Sequence, residues 1–446
     1  MRHITLLALI AVISALGAVP AVAQRTLTLN DAVNEALKNN RQLAMARLEQ
    51  DKADYRVAEA IGNALPNVTA SGTYSRAIKK QVFFLPRAIF EPGASGYAPL
   101  EFGLDNTFQF GFSATQILFN SAVFTGVGTA KIYQKASREM YRSEYNKTIA
   151  SVKRAFYGAL LSRSVRDMMQ ASLKNAEDNL ANVRTMNTQG LVSDYDFIRA
   201  EVQVGNVRPA VIEAERTVLM ATNGLKVLLG IAPSEEITLS GSLEFEPIDP
   251  GVIENAEKVA IAENAGLRAL EFQRQVSDEL VSIYRSESYP TLAAFGNYQW
   301  QAQKNDFKLT SNDLVRTSTV GLSLNLNLFN GFQTRSRVNQ AQVDFLKTDE
   351  QVKFTRDALV MQVQNLVLRL EEARKRFESQ TRTVEQAEKG YKIATTRYSA
   401  GTGTQLEIND ADIALMRSRV NRVQAVYDYS VARADLEEIL SAIRPE

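Results

Sequence analysis

Residues 397–412 read RYSAGTGTQLEINDAD. They stop a long polar helical pattern with Gly401 and Gly403, then restart it at once through Thr404-x-x-Glu407. Upstream, Leu359, Val363, Leu366, Leu370, Ala373, Phe377, Val384, Ala387, Tyr391, Ala394 and Tyr398 recur at alternating spacings of four and three, with only the slot at Gln380 polar. A 3.5-residue period held this long is the pattern of coiled-coil packing. Downstream, Ile413, Met416, Val420, Val423, Tyr427 and Ala434 follow similar spacing, so the break predicts an antiparallel helical hairpin. No proline lies between Pro290 and Pro445, and a helix from near Gly331 to near Tyr398 is about 100 Å long at roughly 1.5 Å per residue. Such a helix is too long for a compact globule. The turn has a sufficient local explanation. Glycine relieves the backbone, Thr404 and Glu407 are spaced as a capping box, and acids in a first turn suit the helix dipole.

The chain makes the same move earlier, in NTQGLVSDYDFIRAE (187–201), where Ser193-x-x-Asp196 is the looser counterpart. The recurrence is general. EALKNNRQLAMARLE (35–49) resembles VAIAENAGLRALEFQ (259–273), with Asn40 over Asn264, and ALPNVTASGTYSR (64–76) resembles SYPTLAAFGNYQW (288–300), with Pro66 over Pro290; both pairs lie 224 residues apart. ILFN (117–120) then lies 210 residues from NLFN (327–330), and Gly190 lies 211 from Gly401. The first half therefore holds an extra segment, placed within residues 79–104 and read as a longer loop. The implied organisation is a signal peptide over 1–23, a first repeat over 24–229, an inter-repeat linker or equatorial segment over 230–252, and a second repeat over 253–446. Each repeat runs helix, two strands, very long helix, glycine break, helix.

The clearest strand begins at Val320: Val320, Leu322, Leu324, Leu326 and Leu328 alternate with Gly321, Ser323, Asn325 and Asn327. In FQFGFSATQILF, Phe108, Phe110 and Phe112 oppose Gln109, Gly111 and Ser113. Val68, Ala70, Gly72 and Tyr74 form one face of the first strand, and Leu292, Ala294, Gly296, Tyr298 and Trp300 do so in the second repeat. Strict alternation marks strands with one apolar and one polar face. A soluble sandwich and a membrane barrel both satisfy it. Strand lengths near the roughly 9–11 residues of a spanning strand, aromatics near strand ends and a polar face of Ser, Thr, Asn and Gly favour the barrel. Four strands cannot enclose a conducting barrel, so several chains must contribute.

The chain starts Met1-Arg2-His3, runs apolar from Ile4 to Val19 and reaches Ala21-Val22-Ala23, the pattern of a secretory signal peptide cleaved after Ala23. No later segment approaches the roughly 18 apolar residues of a spanning helix. There is no cysteine, and the single histidine, His3, lies in the leader. A mature chain without either has no thiolate or imidazole for catalysis or metal binding, so an enzyme, a cofactor and a metal site are not expected. With 51 basic and 50 acidic residues, charge gives no reason to propose nucleic acid as a partner.

Taken together, the leader, the duplicated strand–strand–long-helix units and the breaks GLVSDYD and YSAGTGTQLEIND resemble the TolC-type outer membrane efflux proteins, or outer membrane factors, over essentially the whole mature chain. The resemblance implies an α+β membrane protein. Three protomers, each giving four strands, form a 12-stranded outer-membrane β-barrel, continued by a long antiparallel coiled-coil α-helical barrel in the periplasm. It implies an outer-membrane exit duct for a tripartite efflux or type I secretion system, working as a homotrimer. The partners are a periplasmic adaptor (membrane fusion) protein, an inner-membrane pump such as an RND or ABC transporter, and outer-membrane lipid. Position by position, Glu407 and Asp410 match stacked carboxylate rings at the aperture, three residues apart on one helix face. Like charges gathered there would favour cations and raise some carboxylate pKa values. Asp196 and Tyr398 match the acid and tyrosine that help hold the aperture closed, while Gly403 stands where an arginine is expected. Gly190, Leu191, Val192 and Ser193, with Gly401, Thr402, Gly403 and Thr404, match the tips where the adaptor docks. The competing reading is a structural coiled-coil surface protein, such as an adhesin or envelope spacer, which predicts no conductance.

Overall fold

The computed structural model describes residues 25–443; the leader at 1–23 lies outside them. In chain order the elements are β1 (Arg25–Leu27), α1 (Leu29–Asn39), α2 (Arg41–Gly62), β2 (Asn67–Arg76), β3 (Gln81–Pro86), β4 (Tyr97–Phe102) and β5 (Asn106–Phe119). The long helix α3 (Ser121–Thr188) and its return α4 (Asp194–Leu229) complete the first series. After β6 (Ile237–Leu239) come α5 (Pro250–Glu254), α6 (Ala256–Glu263), α7 (Ala265–Ser286), β7 (Thr291–Lys304), β8 (Val315–Asn325), α8 (Gln333–Ser399) and α9 (Gln405–Ile439). The chain forms two units, one of Asp51–Ser137 with Leu270–Val352, the other of the residues up to Gln50, Arg138–Ala269 and Lys353 onward. Each draws on both halves of the chain.

In the first of these units, β2, β5, β7 and β8 form an antiparallel sheet in that order. Its register puts the alternation of all four strands in phase: Ala70, Phe112, Tyr298 and Ser318 make one rung, and Val68, Ala114, Gly296 and Val320 another. One face is therefore apolar and open, with Val320 at 86% exposure. The other is polar, and on it Thr69 Oγ1 and Ser113 Oγ lie 2.7 Å apart. On the polar face a side chain at Gly321 would lie 2.8 Å from the Phe295 ring, so the ring covers that glycine. Two expectations change here. β8 ends at Asn325 rather than continuing to Phe329, because its partner β7 starts at Thr291, immediately after Pro290, and Thr291 pairs with Asn325. Leu326 and Leu328 have no strand opposite them among the described residues. Residues 79–104 are also not simply loop: β3 and β4 pair as a hairpin over six rungs.

In the other unit, the α8 seam is buried where the heptads place it: Leu359, Val363, Leu366, Leu370, Ala373, Val384 and Ala394 are inaccessible. Gln380, the polar slot, keeps a buried Oε1 with no hydrogen-bond partner among the described residues. The α9 seam differs from the expectation. Of the expected series Ala434 is buried, Met416, Val420, Val423 and Tyr427 are half-buried and Ile413 is exposed, while full burial runs through Ile408, Leu415, Ser418, Ala425, Val426, Tyr429, Ala432, Leu436 and Ile439. Ser418, Ala425 and Ala432 recur every seven residues, and small side chains let helices approach closely. The bulkier series read from the sequence lies one strip over.

The duplication has a physical counterpart in twin asparagines. Asn40 Oδ1 accepts from the amides of Gln42 (2.9 Å) and Leu43 (3.0 Å), capping α2, while its Nδ2 donates to Leu228 O at 2.8 Å at the end of α4. Asn264 Oδ1 accepts from Leu267 N at 2.9 Å, capping α7, and its Nδ2 donates to Ile439 O at 2.8 Å at the end of α9. The linker is fixed by directed contacts. β6 pairs in parallel with β1, Arg163 donates to the carbonyls of Leu239 and Gly241, Phe245 stacks on Phe377 at 4.5 Å, and Ile248 N donates to Tyr429 Oη at 2.9 Å.

Candidate functional site

The two helical hairpins turn by the same chemistry. Helix α3 ends at Thr188, and Gly190 takes the left-handed conformation at φ 71°. The Leu191 amide reaches back to Met186 O at 2.9 Å, the Schellman closure that satisfies a helix's last carbonyls. Helix α8 ends at Ser399; Gly401 also has φ 71°, and the Thr402 amide reaches Arg397 O at 2.9 Å. Ser193 and Thr404 then cap the returning helices, accepting from the amides of Asp196 (3.2 Å) and Glu407 (3.3 Å).

The capping boxes are only half realised, and this decides where the carboxylates go. Asp196 turns to the Ser193 hydroxyl, which donates to its Oδ2 at 2.7 Å. Glu407 does not return to Thr404 N. Its Oε2 lies 3.5 Å from Nη1 of Arg397, in the last turn of α8, and Arg397 also donates to Thr402 O at 3.2 Å. A basic residue therefore stands at the tip, although it is not at position 403. The structure also gives a reason for glycine at 403. A methyl placed there would lie 2.9 Å from the Tyr398 amide nitrogen and 3.1 Å from both the carbonyl carbon and Cβ of Arg397, and Gly403 N donates to Arg397 O at 3.0 Å. Arg397 was present in the quoted stretch. Its role was hidden because the pairing crosses a turn whose geometry the sequence does not specify.

The remaining residues are placed as follows. Asp410 is exposed one turn beyond Glu407. Burial, and then the nearby charge of Asp196, push the Tyr398 hydroxyl above the ordinary tyrosine range. The charge of an acid of the first hairpin is thus felt at the tyrosine of the second. The Tyr398 hydroxyl and the amide oxygen of Gln405, a residue only 2% exposed, are buried atoms without hydrogen-bond partners among the described residues. Sequence reasoning did not single out Gln405 or Asp412. Asp412 ties α9 to α3 by accepting from Ser172 Oγ (2.9 Å) and Asn175 Nδ2 (3.3 Å). At the turns, Leu191 is exposed and Val192 half-buried, with its carbonyl accepting from Asn187 Nδ2 at 3.2 Å.

A sheet with one lipid-compatible face, set in a chain of paired long helices with acid-bearing capped tips, defines the subunit of an outer-membrane channel. Comparison with known proteins makes the class specific: residues 32–231 and 258–442 match the model of the outer membrane efflux protein family, and the chain belongs to that family. It is 20% identical over 421 residues to outer membrane protein TolC of Vibrio cholerae, covering 93% of this chain and 91% of that one. It is 23% identical over 331 residues to the alkaline protease secretion protein AprF of Pseudomonas aeruginosa, covering 73% and 67%. Its fold matches the CmeC outer membrane channel of Campylobacter jejuni at a TM-score of 0.76 with 17% identity, over 93% of this chain and 85% of that one. The protein is a passive outer-membrane exit channel that extends into the periplasm, and not an enzyme.

Proposed function

We propose that the chain works as a homotrimer whose hairpin tips form both the aperture of the channel and the seat of a periplasmic adaptor, which links it to an inner-membrane pump. The observation that carries this reading is the tip chemistry: Arg397 on Glu407 within one hairpin, and Asp196 acting on Tyr398 between the two. Trimer formation is supported by what one chain leaves unpaired. β2 and β8 are open edges of the sheet, and such edges invite pairing with another chain. On α8, Phe354, Met361 and Leu368 are exposed at intervals of seven, a second stripe away from the buried seam and suited to a neighbouring helix.

In this reading Glu407 and Asp410 present carboxylates to permeant ions, and Arg397 neutralises part of the Glu407 charge. Coiled-coil packing holds the aperture narrow, with the charge of Asp196 felt at Tyr398. Gly190, Leu191, Val192 and Ser193, with Gly401, Thr402, Gly403 and Thr404, meet the adaptor; an exposed leucine at a polar turn serves association better than folding. The test is conductance of Glu407→Ala plus Asp410→Ala in planar bilayers. Cation selectivity and block by divalent cations are expected to fall, and unchanged values would remove both residues from the pore. Cysteines at Leu191 and Thr402 are expected to cross-link to the adaptor in intact cells; their failure to do so while efflux persists would move docking elsewhere.

A further inference from the structure

The sheet's apolar face carries two arginines. In the register, even-numbered residues of β2 and β8 share that face. Arg76 lies opposite Asn106, one pair beyond Tyr74–Phe108, and Arg316 lies opposite Trp300. Both are exposed, and neither guanidinium makes a hydrogen bond or ion pair with another described residue. An arginine on a lipid-facing strand is costly at the bilayer midplane and nearly neutral near an interface. Arg76 is the last residue of β2 and Arg316 the second of β8, so both sit at strand ends.

Between these two edge positions is a cavity of about 600 Å³ lined by Gly72, Tyr74, Phe108, Phe110, Trp300 and Leu309. The segment 305–314 borders it, with Phe307 packed on Tyr74 at 5.5 Å and on Phe108 at 6.2 Å. That segment is held in place rather than loose. Lys304 Nζ lies 2.7 Å from Asp313 and donates to Lys308 O at 2.7 Å, and Asp105 N donates to Asn305 Oδ1 at 3.1 Å. Lys304 and then Thr310 hold the Asp313 carboxyl down to about 2, so the clasp stays ionised throughout the neutral range. Beneath the ring cover, Asn106 is 1% exposed, and its Oδ1 accepts from the Tyr74 hydroxyl at 2.9 Å. Gly72 leaves the floor open: a methyl there would touch only the Phe110 ring, at 3.7 Å.

We propose that this face binds a lipid of the outer leaflet with an anionic, uncapped phosphate, its acyl chain in the aromatic cavity and its phosphate taken by Arg76 together with Arg316 of the neighbouring protomer. The site rests on the reading of the sheet as part of a membrane barrel. Charge complementarity selects the occupant: an aromatic and aliphatic slot suits a hydrocarbon chain, and guanidinium is the side chain best matched to phosphate oxygens. Because β2 and β8 are the sheet's two edges, closing the barrel from several chains sets Arg76 of one protomer and Arg316 of the next on either side of a single seam, so each seam offers a paired site.

Trp300 is the only tryptophan in the chain, which makes the test direct. Full-length protein is reconstituted in phosphatidylcholine vesicles, and Trp300 fluorescence is quenched with lipids brominated on the acyl chain, either phosphatidic acid or phosphatidylcholine. The wild type is expected to prefer phosphatidic acid by roughly thirtyfold, about fivefold for each basic residue facing an anionic lipid. Arg76→Gln plus Arg316→Gln is expected to abolish the preference while leaving quenching by brominated phosphatidylcholine and channel conductance unchanged. Phe307→Ala is expected to weaken quenching by both lipids. Equal quenching by both lipids in the wild type, or a preference that survives the double substitution, would overturn the site and leave the barrel reading standing. Displacement of phosphatidic acid by millimolar inorganic phosphate would overturn it in favour of a free-phosphate site. Absence of quenching by either lipid would take Trp300 out of the membrane and remove the barrel reading as well.

Discussion

Replacing Gly403 tests whether the tip is shaped by close backbone approach or only by loop flexibility. Gly401 and Gly403 differ in kind. Gly401 has a positive φ of 71° and open space around its α-carbon, whereas Gly403 has neighbours 2.9 and 3.1 Å from where a β-carbon would sit. Two of those neighbours belong to the backbone of Arg397 and Tyr398, in the last turn of α8, so they cannot rotate aside. Gly403→Ala is an overpacking substitution of about 1–3 kcal/mol, which must loosen the tip amides that close on Arg397. Hydrogen exchange read by mass spectrometry over residues 396–407 reports that opening directly. Protection should fall by about 5- to 150-fold, each 1.4 kcal/mol being a factor of ten. Gly401→Asn, which tolerates the left-handed conformation, should change protection little. Gly403→Arg should behave like Gly403→Ala and fail to tighten the aperture, despite supplying the arginine expected at that position. Unaltered exchange in Gly403→Ala, or reduced conductance in Gly403→Arg, would refute the steric argument and restore position 403 as a vacant lock site.

Arg397→Ala should raise bilayer open probability. An exposed pair is worth up to about 1 kcal/mol, so three protomers together change the opening ratio by no more than about 150-fold, and the effect should vanish near 1 M salt, where screening acts within about 3 Å. Leu370→Ala, at a fully buried seam position, should cost roughly 2–5 kcal/mol and lower the thermal midpoint of the helical circular dichroism signal. Gln380→Leu should raise that midpoint by relieving a buried unpaired oxygen worth about 1–3 kcal/mol. Because the Tyr398 pKa is raised above 10.0 in the folded state, its contribution to tip stability is present below that value and is lost as pH rises through the folded pKa. Asp196→Asn should lower the Tyr398 pKa only partway, since burial is the larger cause. Ultraviolet difference titration against Tyr398→Phe measures this, and a full return to the ordinary value would contradict that order of causes.

Much of this protein follows from periodicity in the chain itself. Alternation over Val320–Leu324 and Phe108–Phe112, the seam from Leu359 to Ala394 and the recurrence of Asn40 at Asn264 are local or repeated patterns. They set faces, helix lengths and duplication because side-chain direction has a fixed period in each kind of backbone. The tips were legible to the level of capping for the same reason: Ser193 and Thr404 act within three residues of themselves. Other features needed tertiary structure because they depend on which surfaces meet. The buried side of α9 runs through Ser418, Ala425 and Ala432, where close approach outweighs side-chain bulk. The ladder of β8 stops at Asn325 because Pro290 ends its partner. Residues 79–104 contain a hairpin because β3 finds β4. Glu407 turns from Thr404 to Arg397, and a β-carbon at 403 is excluded, because the turn folds the chain back on its own last helical turn. Sequence determined the periods and their phases; the tertiary structure decided the partners, since an ion pair or a steric exclusion exists only once two segments occupy neighbouring space.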